Sequence, residues 1–240
     1  MEVKENLPVR NEVKAGLSVR NEVKAGYKLT EAGIIPSDWN NHLLLNKAIL
    51  KARIGWQGLT TAEYKLQGDY FLVTGTEFND GYIDWDTCFY VGYERYKQDK
   101  NIQLKTNDVL VTKDGTIGKV AFINLLPKLA TLNSGVFVIR PINDFFDSKF
   151  FYYLLRSKYF ENFLNKLAAG STISHLYQKD FIHFRFPLPP TLEEQRAIAT
   201  ALSDTDELIS SLDKLITKKR NIKQAAMQQL LTGKKRLPGF

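Results

Sequence analysis

The sequence predicts an α+β fold: a globular mixed α/β domain followed by a long C-terminal coiled-coil helix. Three observations carry that reading. Between Tyr27 and Pro190, short runs rich in Val, Ile and Phe alternate with turn residues, as strands do. An amphipathic stretch from about Asp147 to Gly170 has apolar residues at helical spacing. Finally, Pro187-Leu-Pro-Pro190 is followed by Thr191 to Leu231 without a Gly or Pro, so nothing in that stretch breaks a helix.

Residues 1–26 contain a duplication, Val9 to Gly16 repeated as Val19 to Gly26, with Glu-Val-Lys recurring every ten residues. A period of ten matches no coiled-coil repeat, and the glycines deny the copies a shared core, so the segment reads as a mobile arm. Within 27–190 the strand candidates are Asp69–Thr74, Asp108–Thr112, Lys119–Asn124 and Gly135–Arg140, the last ended by Pro141. Ile182–Phe186 alternates strictly, which places His183 and Arg185 on the side away from the core. The intervening helix is capped by Asp147 or Ser148, buries Phe151, Leu154, Leu155, Tyr159, Phe163 and Leu167, and stops at Gly170.

The last segment, 191–240, opens with Thr191 and Glu194 spaced as a capping box. Glu193 and Glu194 sit at the positive end of the helix dipole, and Lys234, Lys235 and Arg236 follow its negative end. A helix of that length runs roughly 60 Å and must project from its domain. Ile198, Leu202, Ile209, Leu212 and Ile216 keep a 3-4 spacing, and Leu215, Ile222, Ala226 and Leu230 continue the stripe. Such a stripe needs a partner helix, most simply a second copy of itself or a helix of another subunit.

Composition narrows the function. Lys and Arg number 33 against 26 Asp and Glu, a net charge of +7 that favours an acidic partner such as nucleic acid. No apolar run reaches the roughly 20 residues of a membrane span, and Met1 to Arg10 is too charged for a signal peptide, so a cytoplasmic location is expected with no membrane partner. One cysteine, Cys88, leaves no internal disulfide. His42, His175 and His183 lack metal-ligand spacing, and phosphate-loop, serine-elbow and dinucleotide motifs are missing. Gly115-Thr-Ile-Gly118-Lys119 is too short to wrap a nucleotide and leads into a strand, so it reads as a tight turn. Glu63-Tyr-Lys65 could serve a magnesium-dependent nuclease, but Glu-x-Lys recurs in the repeat arm and carries little weight. The chain reads as non-catalytic, with no metal and no cofactor of its own.

Four ordered motifs give a resemblance: Gly170-Ser-Thr-Ile-Ser-His-Leu176, Phe186-Pro-Leu-Pro-Pro190, Glu193-Glu-Gln-Arg-Ala-Ile198 and Met227-Gln-Gln-Leu-Leu-Thr-Gly233-Lys. Ile35-Pro-Ser-Asp-Trp39, Asp108-Val-Leu with Gly115 to Lys119, and Asn133 to Pro141 support it. Across residues 27–240 the chain resembles the specificity subunit of type I restriction-modification systems. The resemblance implies that 27–190 is a target recognition domain for double-stranded DNA and 191–240 a conserved helix for dimerisation and spacing. It implies a modification (methyltransferase) subunit and a restriction (motor and nuclease) subunit as partners, with S-adenosylmethionine, ATP and Mg bound there. Family members carry two recognition domains and two helices, whereas this chain has one of each. It thus resembles half a subunit that pairs with itself around a palindromic bipartite site, or with a different fragment around an asymmetric one. A regulator that sequesters a modification or specificity subunit through its helix is the alternative. Base and phosphate contacts are sought in loops: Arg53, Trp56 and Gln57; Thr76, Glu77 and Asn79; Tyr93, Arg95 and Lys97; and Lys113 beside the glycine turn.

Overall fold

The computed structural model describes residues 24–31, 33–168 and 175–239. All but the end of the repeat arm therefore lies outside the described residues, as do Gly170 and most of the Gly170–Leu176 motif. The chain enters through a hairpin, β1 (Tyr27–Thr30) and β2 (Gly33–Pro36), then forms β3 (Asn40–Leu43) and β4 (Ala48–Lys51). β5 (Tyr70–Val73), the short hairpin β6 (Phe78–Asn79) and β7 (Tyr82–Ile83), and β8 (Phe89–Val91) lead to helix α1 (Tyr93–Lys97). Next come β9 (Val109–Thr112), β10 (Val120–Phe122), β11 (Leu129–Leu132) and β12 (Val136–Pro141). Helices α2 (Ser148–Leu155), α3 (Lys158–Leu167) and α4 (Gln178–Phe181) precede β13 (Arg185–Leu188) and the 40-residue α5 (Leu192–Leu231).

The domain ahead of α5 has three layers. Its centre is the antiparallel sheet β10-β9-β12-β4, with Val138 paired to Leu110 on one side and to Lys51 on the other. On one face, Val109, Val111, Phe137 and Ile139 pack against an aromatic cluster from α2, α3, α4 and β13 that includes Phe151, Phe160, Phe181, Phe184 and Phe186. On the other face, Leu110, Ala121, Val136 and Val138 meet Phe71, Val73, Ala130 and Leu132 of the second sheet, β11-β5-β8. Burial on both faces is why these strands read as continuous apolar runs, while β13 alternates up to Phe186. β3 pairs with β13 at the edge, where Phe186 is opposite His42.

Each strand candidate corresponds to a strand, but two boundaries and one helix differ. Pro141 is the last residue of β12 and pairs with Ala48, past the end of the β9 pairing at Ile139 and Val109, where no N–H has to be donated to β9. β13 starts at Arg185 rather than Ile182, since Ile182 and Phe184 donate their N–H groups back to Gln178 and Phe181 in the turn that closes α4. His183 and Arg185 are exposed, as the alternation indicates. The predicted single helix is two. Ser157 ends α2 by donating its hydroxyl to the Leu154 carbonyl (2.6 Å) and starts α3 by accepting from the Tyr159 N–H. A serine that serves both ends lets the chain bend so that Phe151 and Phe160 both reach the core. Leu167, predicted buried, is exposed beyond that bend.

Asp147 caps α2 through the Phe150 N–H (2.9 Å). Thr191 caps α5 through the Glu194 N–H (3.2 Å), but the Glu194 carboxylate accepts from the Trp39 indole (3.2 Å) rather than completing a local box. That contact ties the start of the long helix to the start of the domain.

Candidate nucleic-acid interface

Sheet register brings five segments to one end of the domain. β5 and β11 are parallel and both finish there, at Val73 and Leu132. β9 finishes at Thr112, opposite Val136 where β12 begins. β4 runs antiparallel to β12, so the chain that leaves Lys51 for Gly55 arrives at the same end. Contacts knit these segments together. The Lys113 N–H donates to the Gly135 carbonyl (2.8 Å), and Leu59 donates to the Asn133 side chain (3.1 Å). Segment 175–177 joins through the Leu176 N–H to the Lys113 carbonyl (2.8 Å) and through an ion pair of His175 with Asp114.

Lys113 lies at this end, paired with Asp114 (Nζ to Oδ2, 3.8 Å). Its side chain is only 13% exposed, its Nζ stands 3.4 Å from His175 Nε2, and it lies over the Phe137 ring. The glycine turn beside it is scaffold: Gly118 has φ +83°, and a Cβ there would meet Leu164 Cδ1 at 2.4 Å. Thr76 is exposed on the neighbouring loop. Gln57 is half-buried, with its Oε1 buried and without a hydrogen-bond partner. The Trp56 side chain lies outside what is described. This end therefore gathers hydroxyl, amide and ammonium groups, the group types that contact base edges and phosphates, with the Thr76 hydroxyl bonded to Glu77 and Lys113 paired with Asp114.

Two candidates are corrected. Arg53 is 1% exposed and spends its guanidinium on the Leu132 carbonyl (2.8 Å), Gln98 (3.0 Å), the Arg95 carbonyl and the Thr131 hydroxyl. Burial and the neighbouring Arg95 lower its pKa, yet an arginine remains charged, so it is a buried strut between sheet and α1. Glu77 is 3% exposed, and its carboxylate accepts from the Thr74 and Gly75 N–H groups and the Thr74 and Thr76 hydroxyls. It holds the 74–77 loop in shape and faces inward.

The remaining candidates divide. Tyr93, Arg95 and Lys97 share α1, at the other end of β5, since Tyr70 pairs with Val91 there. Tyr93 is exposed, and Lys97 lies 5.5 Å from its ring centroid. Arg95 is engaged with Glu63 (Nε to Oε1, 2.7 Å). The Glu63 carboxyl is held below its usual range first by the Thr60 N–H and then by Arg95, so Glu63 acts as a cap and ion-pair partner. Asn79 is exposed on the β6–β7 hairpin, next to Asp80, which reaches Arg156 near α5. Asp114, Ser134, His175 and Tyr177 join the convergent end without having been singled out. Only the position of His175 inside the Gly170–Leu176 motif hinted at it. Among the described residues, no group of three or more His, Cys, Asp or Glu is placed to hold a metal ion. Nor is any helix among them long and apolar enough to cross a membrane.

The helix stripe is mostly uncovered. Ile198 packs partly on the core, whereas Leu202, Ile209, Leu212, Leu215, Ile216, Ile222, Ala226 and Leu230 are exposed. Every described residue from Glu207 onward is exposed, so α5 docks for about four turns and then projects.

Comparison with known proteins agrees with this arrangement. Residues 57–224 match the family model of the type I restriction modification DNA specificity domain. The chain is 30% identical over 210 residues, 86% of its length, to a Methanocaldococcus jannaschii protein assigned as the specificity subunit of the type I restriction enzyme MjaX, of which it covers 48%. It is 35% identical over 133 residues, 55% of its length, to the MjaVIII specificity subunit of the same organism, covering 30% of that protein. Its fold is similar to that of the HsdS subunit from Thermoanaerobacter tengcongensis (TM-score 0.55, 18% identity, 85% of this chain and 47% of that one). The chain spans about half the length, or less, of the curated relatives it matches. Two strand layers, a helix cluster and one projecting helix, with a family match over most of the sequence, place this chain in the type I restriction-modification specificity subunit family.

Proposed function

We propose that the chain is a DNA-reading half of a type I restriction-modification specificity unit, which binds one half of a bipartite double-stranded target and pairs with a second copy through α5. The observation that carries the proposal is the uncovered apolar stripe on a helix that leaves the domain by about seven further turns. A free helix with such a stripe is unstable in water, and a second copy packed against it sets two recognition domains apart by a fixed distance. The convergent loop end, with Lys113, Thr76 and Gln57, supplies the reading surface. The exposed Tyr93 and Lys97 of α1 form a flanking surface for the phosphate backbone. Methyl transfer and ATP-driven cleavage belong to the modification and restriction subunits, which bind S-adenosylmethionine, ATP and Mg.

The test is long-read methylome sequencing of a methylation-free host that expresses this chain with its modification subunit. A methylated, palindromic, interrupted motif is the expected result. An asymmetric motif would replace the self-paired arrangement by two different specificity chains. No motif, with both proteins soluble and associated, would overturn DNA reading in favour of a sequestering role.

A further inference from the structure

The joint between α5 and the recognition domain is polar where a packed helix would ordinarily be apolar. The residues that α5 buries are Gln195, Ala199 and Ser203, at successive intervals of four, followed by the half-buried Asp206. Its share of the hydrophobic core is limited to Ala199 and, in part, Ile198. Directional bonds take the place of apolar area. Gln195 accepts from the Asp147 N–H (2.8 Å) and donates to the Pro189 carbonyl (3.3 Å). Lys149 donates to the Ser203 hydroxyl (2.7 Å), and the Tyr153 hydroxyl donates to Asp206 (2.8 Å). Arg156 lies 4.0 Å from Asp206 and 3.4 Å from Asp80 of the β6–β7 hairpin. Pro189 and Asp80 apart, these partners are on α2, at its cap or just past its end at Arg156, so one short helix grips the first four turns of the long one.

An apolar contact is non-directional and tolerates slip, whereas a row of hydrogen bonds holds one angle. The angle matters because the free part of α5, from Glu207 to Leu231, is a lever of about 37 Å, and a 10° change would move its tip by roughly 6 Å, close to two base pairs. Resting on the reading of the chain as half of a DNA-binding pair, we propose that Tyr153, Ser203 and Asp206 are positioning residues that fix the number of base pairs between the two half-sites. They touch no base. They set the direction in which α5 leaves the domain, and with it the separation of the two reading surfaces.

The experiment is the same methylome measurement with the full chain and its modification subunit, read for spacer length as well as sequence. Tyr153→Phe removes one oxygen and keeps the ring; a double variant, Tyr153→Phe with Ser203→Ala, removes two of the bonds; and Asp206→Ala removes the acceptor at the end of the row. The expected outcome is unchanged half-sites with spacers one or two base pairs longer or shorter, methylated to a tenth or more of the level of the original. Asp206→Asn, which keeps an acceptor for Tyr153, should restore the single spacer, and Ser211→Ala, on the exposed part of the helix, should never lose it. A single unchanged spacer in the double variant and in Asp206→Ala would overturn the proposal, as would equal loss of methylation at every spacer in variants whose circular dichroism is unchanged. Failure of the unaltered chain to direct any methylation would strike the underlying DNA-reading role, an outcome distinct from an unchanged spacer.

Discussion

Arg53 shows how far a residue's type is from its role. An arginine in a loop is a natural reader of guanine, and from the sequence it stood beside Trp56 and Gln57 as such. In the fold it bridges the ends of β11 and α1, and three backbone or hydroxyl oxygens depend on it. Arg53→Ala should therefore destabilise the domain by about 3 kcal/mol, because it leaves buried acceptors unpaired. A fall in thermal midpoint on the order of 10 °C is expected, with the methylated motif unchanged below that temperature. Lys113→Ala should instead weaken DNA binding and lower the slope of log K against log salt by about one unit, as loss of one phosphate contact does, measured below the variant's own thermal midpoint. An unchanged slope would remove Lys113 from the interface. A third residue, Tyr152, contributes to alkaline stability, together with Tyr153, whose phenol is also pushed up by burial. Burial of Tyr152 pushes its phenol up to about 12, whereas in the unfolded chain it titrates near 10. The contribution is fully present below pH 10 and is lost as pH rises to 12, because only the unfolded chain releases its proton in that window. Urea midpoints should fall across that interval by about 2 kcal/mol of stability, and less steeply in Tyr152→Phe.

At the scale of elements, the glycine turn between β9 and β10 separates two causes of glycine use. Gly115 and Gly118 both have positive φ, but a Cβ on Gly115 meets open space while one on Gly118 runs into Leu164 of α3. Gly115→Ala should cost about 1 kcal/mol from the left-handed backbone alone. Gly118→Ala adds overpacking and should cost about 3 kcal/mol, read as a difference in denaturant midpoint between the two variants. Equal effects would show that α3 yields to the turn. The same contact explains why the predicted single helix over 147–170 had to break: α3 must lean over the turn while α2 faces α5, and Ser157 supplies the corner. Periodicity could find the apolar residues of both helices, but it could not find the bend, since a serine in a helical pattern is compatible with either.

For the whole molecule, the division between a packed domain and an unpaired helix is the property that function rests on. Leu212 is 48% exposed and far from the domain core. Leu212→Asp should convert a dimer to a monomer in sedimentation equilibrium, with the domain's thermal midpoint unchanged, because a charge in the stripe is buried only when two copies meet. A dimer that survives this change would place the interface elsewhere.

The sequence by itself determined the family, the mixed α/β domain, the strands of the central sheet and the long helix with its cap. All of these are written in short-range patterns: β-branched runs, turn residues, and forty positions without a breaker. It also located the two turn glycines between β9 and β10. Tertiary structure alone decided which polar residues are turned into the fold. Arg53 and Glu77 are as polar as Lys113 and Thr76, and only the packing of β11, α1 and the 74–77 loop turns them inward. It decided as well that Glu194 reaches Trp39, 155 residues away in the chain, and that α2 grips α5 through Tyr153 and Lys149. Side-chain hydrogen bonds across such distances leave no periodic trace, because they depend on where two elements meet and not on the spacing within either one.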